Sequence, residues 1–214
     1  MLTQEYTLAG VEPRKLLGRD ERQQSILRGA ARAFARSGFA GTSMDDVAAE
    51  VGVSRLIVYR HFESKEELYR AVLEKVFDRH AHEFVAAWEA RSPRAIGVGG
   101  HLTVAREWPD GYVLLWRHAA REPQFATYAD ELRGHAVEAA RSVLAVSGAT
   151  GDAVKVRWAA ETIVGFIVES VLNWLADGDA DRDEEFLDLV SDGIRSLRFT
   201  WFECPPSTAG EGQA

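Results

Sequence analysis

The chain of 214 residues has little cysteine, and its single one, Cys204, excludes an internal disulfide framework and a zinc site built from paired cysteines. No apolar run reaches the roughly 18 residues that a membrane span needs, and the N-terminus lacks a positive start followed by an apolar stretch. We therefore expect a cytoplasmic protein with no membrane partner. The motifs His-Glu-x-x-His, Gly-x-Ser-x-Gly and the Walker lysine are also absent, so we expect no enzyme.

Negative charge dominates the chain but is unevenly distributed. The formal net charge of -8 by itself disfavours nucleic acid as a partner. Residues 14–65, however, contain ten Lys and Arg against six Asp and Glu, whereas the part after residue 70 is strongly acidic. This asymmetry predicts two regions with different tasks.

Apolar residues spaced three and four apart predict helices nearly throughout and no strand. The segments expected to be helical are residues 20–37, 43–51, 54–62, 64–90, 152–176 and 183–202. Further helices are expected to start near Pro93, Pro109 and Pro123, since proline suits a first helical turn. Residues 1–19 are expected to form a flexible arm, and residues 205–214 a disordered tail.

The segment 38–62 contains two short predicted helices joined by a tight turn at Gly52. Ala48, on the first of them, is small enough to permit close crossing with the preceding helix. Val58 and Phe62 place the inner face of the second short helix on the same core. This is the helix-turn-helix pattern, in which the second helix is presented to the major groove of DNA.

The segment 38–62 and the run after it, Glu63-Ser64-Lys65-Glu66-Glu67-Leu68, resemble the N-terminal domain of the TetR family of transcriptional regulators. The specific similarity covers residues 20–79. The resemblance implies an all-α homodimer. A three-helix helix-turn-helix DNA-binding domain is expected in residues 20–80, with its motif at about 43–62, and a larger helical ligand-binding and dimerisation domain in residues 81–204. It also implies binding to double-stranded DNA at an operator palindrome, and release when a small molecule enters the C-terminal domain.

The resemblance further implies DNA contacts for residues in and around the two short helices. These are Thr42, Ser43, Ser54, Arg55, Leu56, Tyr59, Arg60, His61 and Lys65. The hydroxyls of Thr42 and Ser43 can cap free amides at a helix end that favours phosphate, and Asp46 can complete that cap. Ser54 is expected to cap the recognition helix in the same way.

Roles within this set are also taken from the resemblance. Arg55 and Leu56 are expected near base edges, and Tyr59, His61 and Lys65 on phosphates. Packing at a helix crossing is the alternative for the tyrosine and histidine. The arginines can instead be solvated surface charges.

Two features keep alternatives open at the edges of this interface. Ile57 either contacts thymine methyls or is partly buried. Arg14, Lys15 and Arg19 either enter a neighbouring minor groove or belong to a disordered leader without a DNA contact.

Aromatic residues concentrate between residues 108 and 174, and such a set can line an apolar pocket for a drug-sized molecule. The residues expected to bind this ligand are Trp108, Tyr112, Trp116, Phe125, Tyr128, Trp158, Phe166 and Glu169. His118 or His135 are further candidates for orienting the ligand. For any single aromatic residue, packing in the core is the competing interpretation. The effector is expected to be apolar or aromatic.

The histidines do not predict a metal site, and no cofactor is expected. His101, His118 and His135 are regularly spaced, but they fall on three predicted helices. His80 and His82 point to different sides of one helix and are expected at the surface.

Residues 152–176 form the most apolar segment, with apolar residues on nearly all faces of the predicted helix. By the resemblance, this helix and the last one pair with their counterparts in a second subunit as a four-helix bundle. The residues expected at the dimer interface are Ile163, Ile167, Val171, Trp174, Val190, Ile194, Leu197 and Trp201. The alternative is a central helix in a monomeric bundle.

We therefore expect a ligand-responsive, sequence-specific DNA-binding regulator, and specifically a repressor that its effector releases from the operator. An activator with the same fold is one alternative. A helical ligand- or partner-binding protein that does not bind DNA is the other.

Overall fold

The computed structural model describes residues 18–92, 94–149 and 152–202, and in these ranges the chain forms nine α-helices and no strand. The helices are α1 (Arg19–Ser37), α2 (Met44–Val51), α3 (Arg55–Tyr59), α4 (Lys65–Glu89), α5 (Gly100–Glu107), α6 (Pro109–Val113), α7 (Ala126–Val146), α8 (Ala153–Asp177) and α9 (Asp183–Phe202). Turns of π-helix lie at Ala95–Gly99 and Leu114–His118, and 3-10 turns at Ala119–Arg121 and Ala180–Arg182. The predicted all-α fold class is confirmed.

The predicted arm and tail fall largely outside the described residues. Arg14 and Lys15 lie outside them, as do residues 205–214. Arg19, predicted to be the last residue of the arm, is instead the first residue of α1, because Gly18 and Glu21 cap the helix there. Its charge is therefore held on a helix rather than on a free leader.

The inner face of α1 organises the first three helices. Ile26, Ala30, Ala33 and Phe34 lie on that face and are almost wholly buried, as their spacing predicts. The helix ends at Gly38, whose φ of +72° is a conformation that favours glycine. The chain can therefore turn sharply into the loop before α2.

α4 connects the two halves of the molecule, and at about 1.5 Å per residue its 25 residues span roughly 37 Å. Leu68 and Val76 on its first half are buried in the core of α1–α3. The same core continues into Val104, Leu114 and Leu132 of the following helices. The domain boundary predicted at residues 80–81 thus falls inside one continuous helix, and apolar packing extends across it.

α8 is the central helix of a second core, which it forms with α5, α7 and α9. Ala160, Val164, Val168 and Val171 on α8 are buried in it. Length and composition alone would allow α8 to cross a membrane, but core helices of soluble proteins share this composition. Here 44% of its most apolar 18-residue window is buried inside the protein.

Candidate nucleic-acid interface

The short helix α3 presents one side to the core and the other to solvent. Val58 is fully buried and Phe62, just beyond the helix, is nearly so, which fixes the orientation of α3. Ile57 is half-buried against the same core, so burial is the interpretation that holds for it. On the opposite side Leu56 is 62% exposed and Tyr59 38%. An exposed face on a firmly anchored helix is the geometry that groove recognition requires.

Arg55 and Tyr59 form a pre-arranged pair on the exposed side of α3. Nη2 of Arg55 donates to the Tyr59 hydroxyl at 3.3 Å, and its guanidinium lies 5.2 Å from the centre of the tyrosine ring. Nη1 of Arg55 also donates to the carboxylate of Asp45 at 2.8 Å. The hydrogen bond to Tyr59 and the charge of Asp45 together raise the pKa of Arg55. Because Asp45 already occupies part of the guanidinium, a DNA contact by Arg55 must replace this ion pair.

A reciprocal cap closes the first turn of α2. The Ser43 hydroxyl accepts from the amide of Asp46 at 3.2 Å, and the Asp46 carboxylate accepts from the amide of Ser43 at 2.8 Å and from its hydroxyl at 2.6 Å. The predicted cap is therefore confirmed. These hydrogen bonds from Ser43 lower the pKa of Asp46, so the carboxylate remains charged. Ser43 itself stays exposed beside the helix end.

Lys65 ties the loop between α1 and α2 to the start of α4. Its Nζ donates at 2.9 Å to the carbonyl oxygens of Phe39 and Thr42, and it lies 4.2 Å from the centre of the Phe39 ring. An ammonium has three hydrogens, so one remains for a phosphate. Lys65, Ser43, Arg55 and Tyr59 border one open concavity of about 390 Å³.

Two predictions for this surface are wrong: that the Thr42 hydroxyl faces outward, and that Ser54 caps α3. The Thr42 side chain is only 3% exposed, and its hydroxyl donates inward to the carbonyl oxygens of Gly38 at 2.7 Å and Ala33 at 3.2 Å. It therefore closes the end of α1 instead of facing DNA. Ser54 occupies the N-cap position of α3, but its side chain makes no capping hydrogen bond.

His61 lies half-buried where α3 ends and the chain turns towards α4. The carbonyl oxygen of Val58 accepts from the amides of both His61 and Phe62, at 3.0 Å each, so the helix ends in a tight turn three residues earlier than predicted. Burial, followed by the charges of Arg19 and Arg22, lowers the pKa of His61. The ring thus stands in a basic neighbourhood at the edge of the exposed face of α3.

Comparison with known proteins places this arrangement in a family. Residues 26–72 match the family described as bacterial regulatory proteins, tetR family. Over 177 residues the chain is 28% identical to the HTH-type transcriptional activator FasR of Mycolicibacterium smegmatis, covering 78% of each protein. Residues 26–72 thus form a helix-turn-helix domain of the tetR family.

Solved structures of TetR-like proteins share the fold over most of their length. A TetR-like transcriptional regulator from Rhodococcus sp. RHA1 superposes with a TM-score of 0.69 at 22% identity, over 86% of this chain and 96% of that one. AibR in complex with isovaleryl coenzyme A and operator DNA gives a TM-score of 0.61 at 21% identity, over 87% and 100%. The chain accordingly has the fold of TetR-like regulators, with an N-terminal helix-turn-helix domain and a larger helical C-terminal domain.

Several residues predicted to line a ligand pocket pack in the core that contains the N-terminal helices. Trp108 and Phe125 are almost wholly buried there, and Phe125 stacks on Tyr69 with ring centres 4.3 Å apart. The guanidinium of Arg28 lies 4.2 Å from the centre of the Trp108 ring. Tyr128 packs half-buried on the same core, and burial, followed by the charge of Glu74, raises its pKa to about 12. For Trp108 and Phe125 the structure thus agrees with the competing interpretation, packing in a core, because apolar spacing does not show which core a residue joins.

Three other predicted ligand residues lie on the outer surface. Trp158 is 63% exposed and contacts Trp201, and Phe166 is 42% exposed. Glu169 is exposed and pairs with Arg117 at 3.3 Å. Their contact with a ligand therefore stays a prediction, and the structure places all three at the surface.

Tyr112 and Trp116 are the two predicted ligand residues that the structure does bring together, and they meet His80 and His101. The ring centres of the two histidines are 4.6 Å apart, and that of His80 lies 5.5 Å from Tyr112 and 5.9 Å from Trp116. The prediction that His80 lies at the surface is wrong. It continues the buried stripe of α4, four residues after Val76, and this spacing was the signal for its position.

The predicted dimer-interface residues face the chain's own second core. Ile163, Ile167, Val171 and Val190 are buried, so they are not available to a partner subunit. Trp174 donates to the carboxylate of Asp183 at 2.6 Å. Ile194, Leu197 and Trp201 are half-buried against that core. The large apolar residues that α8 and α9 do expose are Val154, Trp158, Phe166, Leu189 and Phe199.

Proposed function

We propose that the chain is a TetR-family regulator, a homodimeric repressor that binds an operator palindrome and leaves it when a small apolar molecule binds the C-terminal domain. The observation that carries the proposal is the exposed, pre-arranged face of α3, where Arg55 and Tyr59 contact each other on a helix anchored by Val58 and Phe62. In a dimer, two such helices enter successive major grooves of the operator. A repressor bound in this way blocks access to the promoter.

DNA binding is tested with a duplex enriched from a random library by the wild-type protein. Tyr59→Ala and Arg55→Ala are expected to weaken binding measured by fluorescence anisotropy by about tenfold or more, since each removes a contact of roughly 1–3 kcal/mol. Arg182→Ala, on the exposed turn between α8 and α9, is the matched control and should bind like wild type. Affinity should also fall steeply with salt. Unchanged affinity in both interface variants would remove this face from the proposal.

Dimerisation is proposed through the exposed apolar residues of α8 and α9. A monomer would leave Trp158, Phe166 and Leu189 in water on neighbouring helices, and association would cover them. Leu189→Lys is expected to shift the protein to a monomer in sedimentation velocity. Val146→Lys is the matched control, because Val146 on α7 is equally exposed but lies outside this face. A dimer that persists in Leu189→Lys would place the interface elsewhere.

Release by an effector requires contact between the C-terminal domain and the helix-turn-helix. α4 supplies one connection, and Phe125, which stacks on Tyr69 and meets Phe39 edge-on, supplies a second. A ligand that binds the off-DNA arrangement more tightly shifts the population towards it. The structure of AibR with both isovaleryl coenzyme A and operator DNA supports an effector with an apolar chain by analogy. Such a molecule should lower operator affinity in the anisotropy assay.

An activator of the same fold is the second candidate. It is favoured by the similarity to FasR, which is described as a transcriptional activator. The two differ in where the operator lies relative to the promoter. A reporter carrying the gene's own upstream region, compared with and without this protein, distinguishes them. Higher expression in the absence of the protein supports a repressor, and lower expression supports an activator.

A further inference from the structure

Four polar aromatic side chains from different elements meet inside the C-terminal half of the molecule. They are His80 on α4, His101 on α5, Tyr112 on α6 and Trp116 on the π-helical turn after α6. Nδ1 of His101 and the Tyr112 hydroxyl are 3.0 Å apart, and Nε1 of Trp116 donates to Nε2 of His80 at 3.4 Å. We call these four residues the histidine cluster. Turns of π-helix such as this one are often found at functional sites.

The two hydrogen bonds within the histidine cluster leave two of its donor hydrogens without an acceptor. The indole of Trp116 can only donate, so neutral His80 accepts on Nε2 and carries its hydrogen on Nδ1. His101 and Tyr112 have one ring hydrogen and one hydroxyl hydrogen between them, and their mutual bond uses one. Neither remaining hydrogen bonds to another group in the described ranges. The cluster therefore presents two hydrogen-bond donors and is matched to an acceptor.

The surroundings make this an apolar site without net positive charge. Tyr112 is fully buried, while the two histidines and Trp116 each keep part of their accessible surface. Burial holds the pKa of His80 well below its usual range, with His101 and Arg79 contributing, and burial lowers that of His101 to about 4. Both rings are therefore neutral at pH 7.

The charged groups near the histidine cluster are balanced or acidic. Arg79, next to His80 on α4, is paired with Glu83 and with Glu107 of α5. Burial raises the pKa of Tyr112, and the charge of Glu169 on α8 raises it further. Glu169 itself pairs with Arg117. Arg79 and Arg117 are thus both paired, so neither is free to bind an anion here.

We propose that the histidine cluster is the polar end of the effector site and binds the oxygen of a carbonyl or carboxyl group on an otherwise apolar molecule. This inference rests on the proposed function for its regulatory meaning, although binding itself does not depend on DNA. A neutral carbonyl accepts directly from the two donors. A carboxylate binds with uptake of one proton from solvent by an imidazole, so that charge balances within the site.

The position of the histidine cluster explains how its occupancy reaches the DNA-binding half. Trp116 packs against both apolar cores, so the cluster lies where the two cores meet. His80 is four residues beyond Val76, which is buried in the N-terminal core on the same face of α4. A ligand that displaces His80 therefore acts on the helix that carries the helix-turn-helix.

Isothermal titration calorimetry on the full chain tests the proposal with two matched series: octanoate, octanamide and octylamine, and phenylacetate, phenylacetamide and phenethylamine. The carboxylate and amide of at least one series should bind and its amine, which lacks an acceptor oxygen, should not. Titration near pH 7 in phosphate and in Tris, whose ionisation enthalpies differ, should reveal proton uptake with the carboxylate and none with the amide. Binding of the amine as tightly as the carbonyl compounds, or of no carbonyl compound at all, overturns the proposal.

Variants connect that binding to the named residues. His101→Leu is expected to weaken it about tenfold by removing a donor, and His101→Gln, which keeps an N–H, should restore most of it. His80→Leu and His80→Gln repeat the comparison if His101→Leu does not fold, as checked by circular dichroism. His82→Leu, on the exposed side of α4, is the control. Unchanged affinity in both leucine variants overturns the assignment.

The anisotropy assay keeps this inference separate from the proposed function. Intact operator binding without binding of any carbonyl compound overturns the ligand site alone. Binding of a carbonyl compound that depends on His80 or His101, in a protein that does not bind DNA, overturns the proposed regulator alone.

Discussion

The carboxylate of Glu122 accepts a hydrogen bond of 3.2 Å from the backbone amide of Phe39. The two residues belong to different halves of the molecule, since Glu122 follows the 3-10 turn after α6 and Phe39 lies in the loop before α2. The carbonyl oxygen of Phe39 in turn accepts from Lys65. The start of the helix-turn-helix is thus positioned by a side chain that lies outside the N-terminal domain.

Glu122→Ala is expected to lower the free energy of unfolding by about 1 kcal/mol, because the Phe39 amide loses its acceptor. It should also weaken operator binding, since the loop that positions α2 is released. Glu122→Gln keeps an amide oxygen at the same place and should remain close to wild type. Chemical denaturation and fluorescence anisotropy measure the two effects. Operator binding equal to wild type in Glu122→Ala would show that this contact does not position the DNA-binding surface.

Tyr69→Phe is expected to raise the free energy of unfolding by about 1 kcal/mol, since a buried hydroxyl without a hydrogen bond costs stability. Tyr69 is fully buried among Phe34, Phe39 and Phe125, and its hydroxyl has no partner within the described residues. Tyr112→Phe is the matched contrast and should be destabilising, because it removes the hydrogen bond with His101. Thermal and urea unfolding of both variants measure the difference. A loss of stability in Tyr69→Phe would mean that its hydroxyl has a stabilising partner.

Gly29→Ala is expected to destabilise the protein by about 1–3 kcal/mol, because the added methyl overpacks a helix crossing. A Cβ at Gly29 on α1 would overlap the Cγ2 of Val51 on α2. The control is Gly134→Ala on α7, where nothing lies within 4 Å of the added carbon. That variant should be more stable by up to about 1 kcal/mol, since alanine favours a helix more than glycine does. Equal stability of the two variants would argue against a tight α1–α2 crossing.

Much of the N-terminal domain could be predicted because its signals are local. The cap between Ser43 and Asp46 and the buried spacing of Ile26 and Phe34 depend only on neighbours along the chain. Ser64 likewise accepts from the amide of Glu67, three residues further along the chain. These signals give the bounds of α1, α2 and α4 to within one residue.

The C-terminal half is harder to predict, because contacts between elements far apart in the chain determine which core each residue joins. Phe125 is apolar whichever core it joins, and only the tertiary fold brings it to Tyr69. On α8, apolar residues occupy nearly every face, so periodicity could not distinguish buried Ile167 from exposed Phe166. His80 and His82 point to different sides of α4, and only the buried stripe through Val76 distinguishes the inner one from the outer one.

His61 is expected to make operator binding dependent on pH. In the free protein burial, together with Arg19 and Arg22, lowers its pKa below the usual 6.5, so the ring is mostly neutral at pH 7. A DNA phosphate at this ring favours the protonated form and raises the pKa in the complex. The complex then binds more protons than the free protein, so affinity should rise as pH falls from 8 to 6, by at most one proton per subunit.

The test measures operator affinity by anisotropy between pH 6 and 8 at fixed salt, for wild type and for His61→Asn. The variant is expected to lose most of the pH dependence and, at pH 6, part of the affinity. His101 does not contribute in this range, because burial lowers its pKa to about 4, and the pKa of His80 is also held low by burial. His82→Asn, which changes an exposed histidine on α4, serves as the control and should keep the wild-type slope. An unchanged slope in His61→Asn would show that this ring does not contact a phosphate.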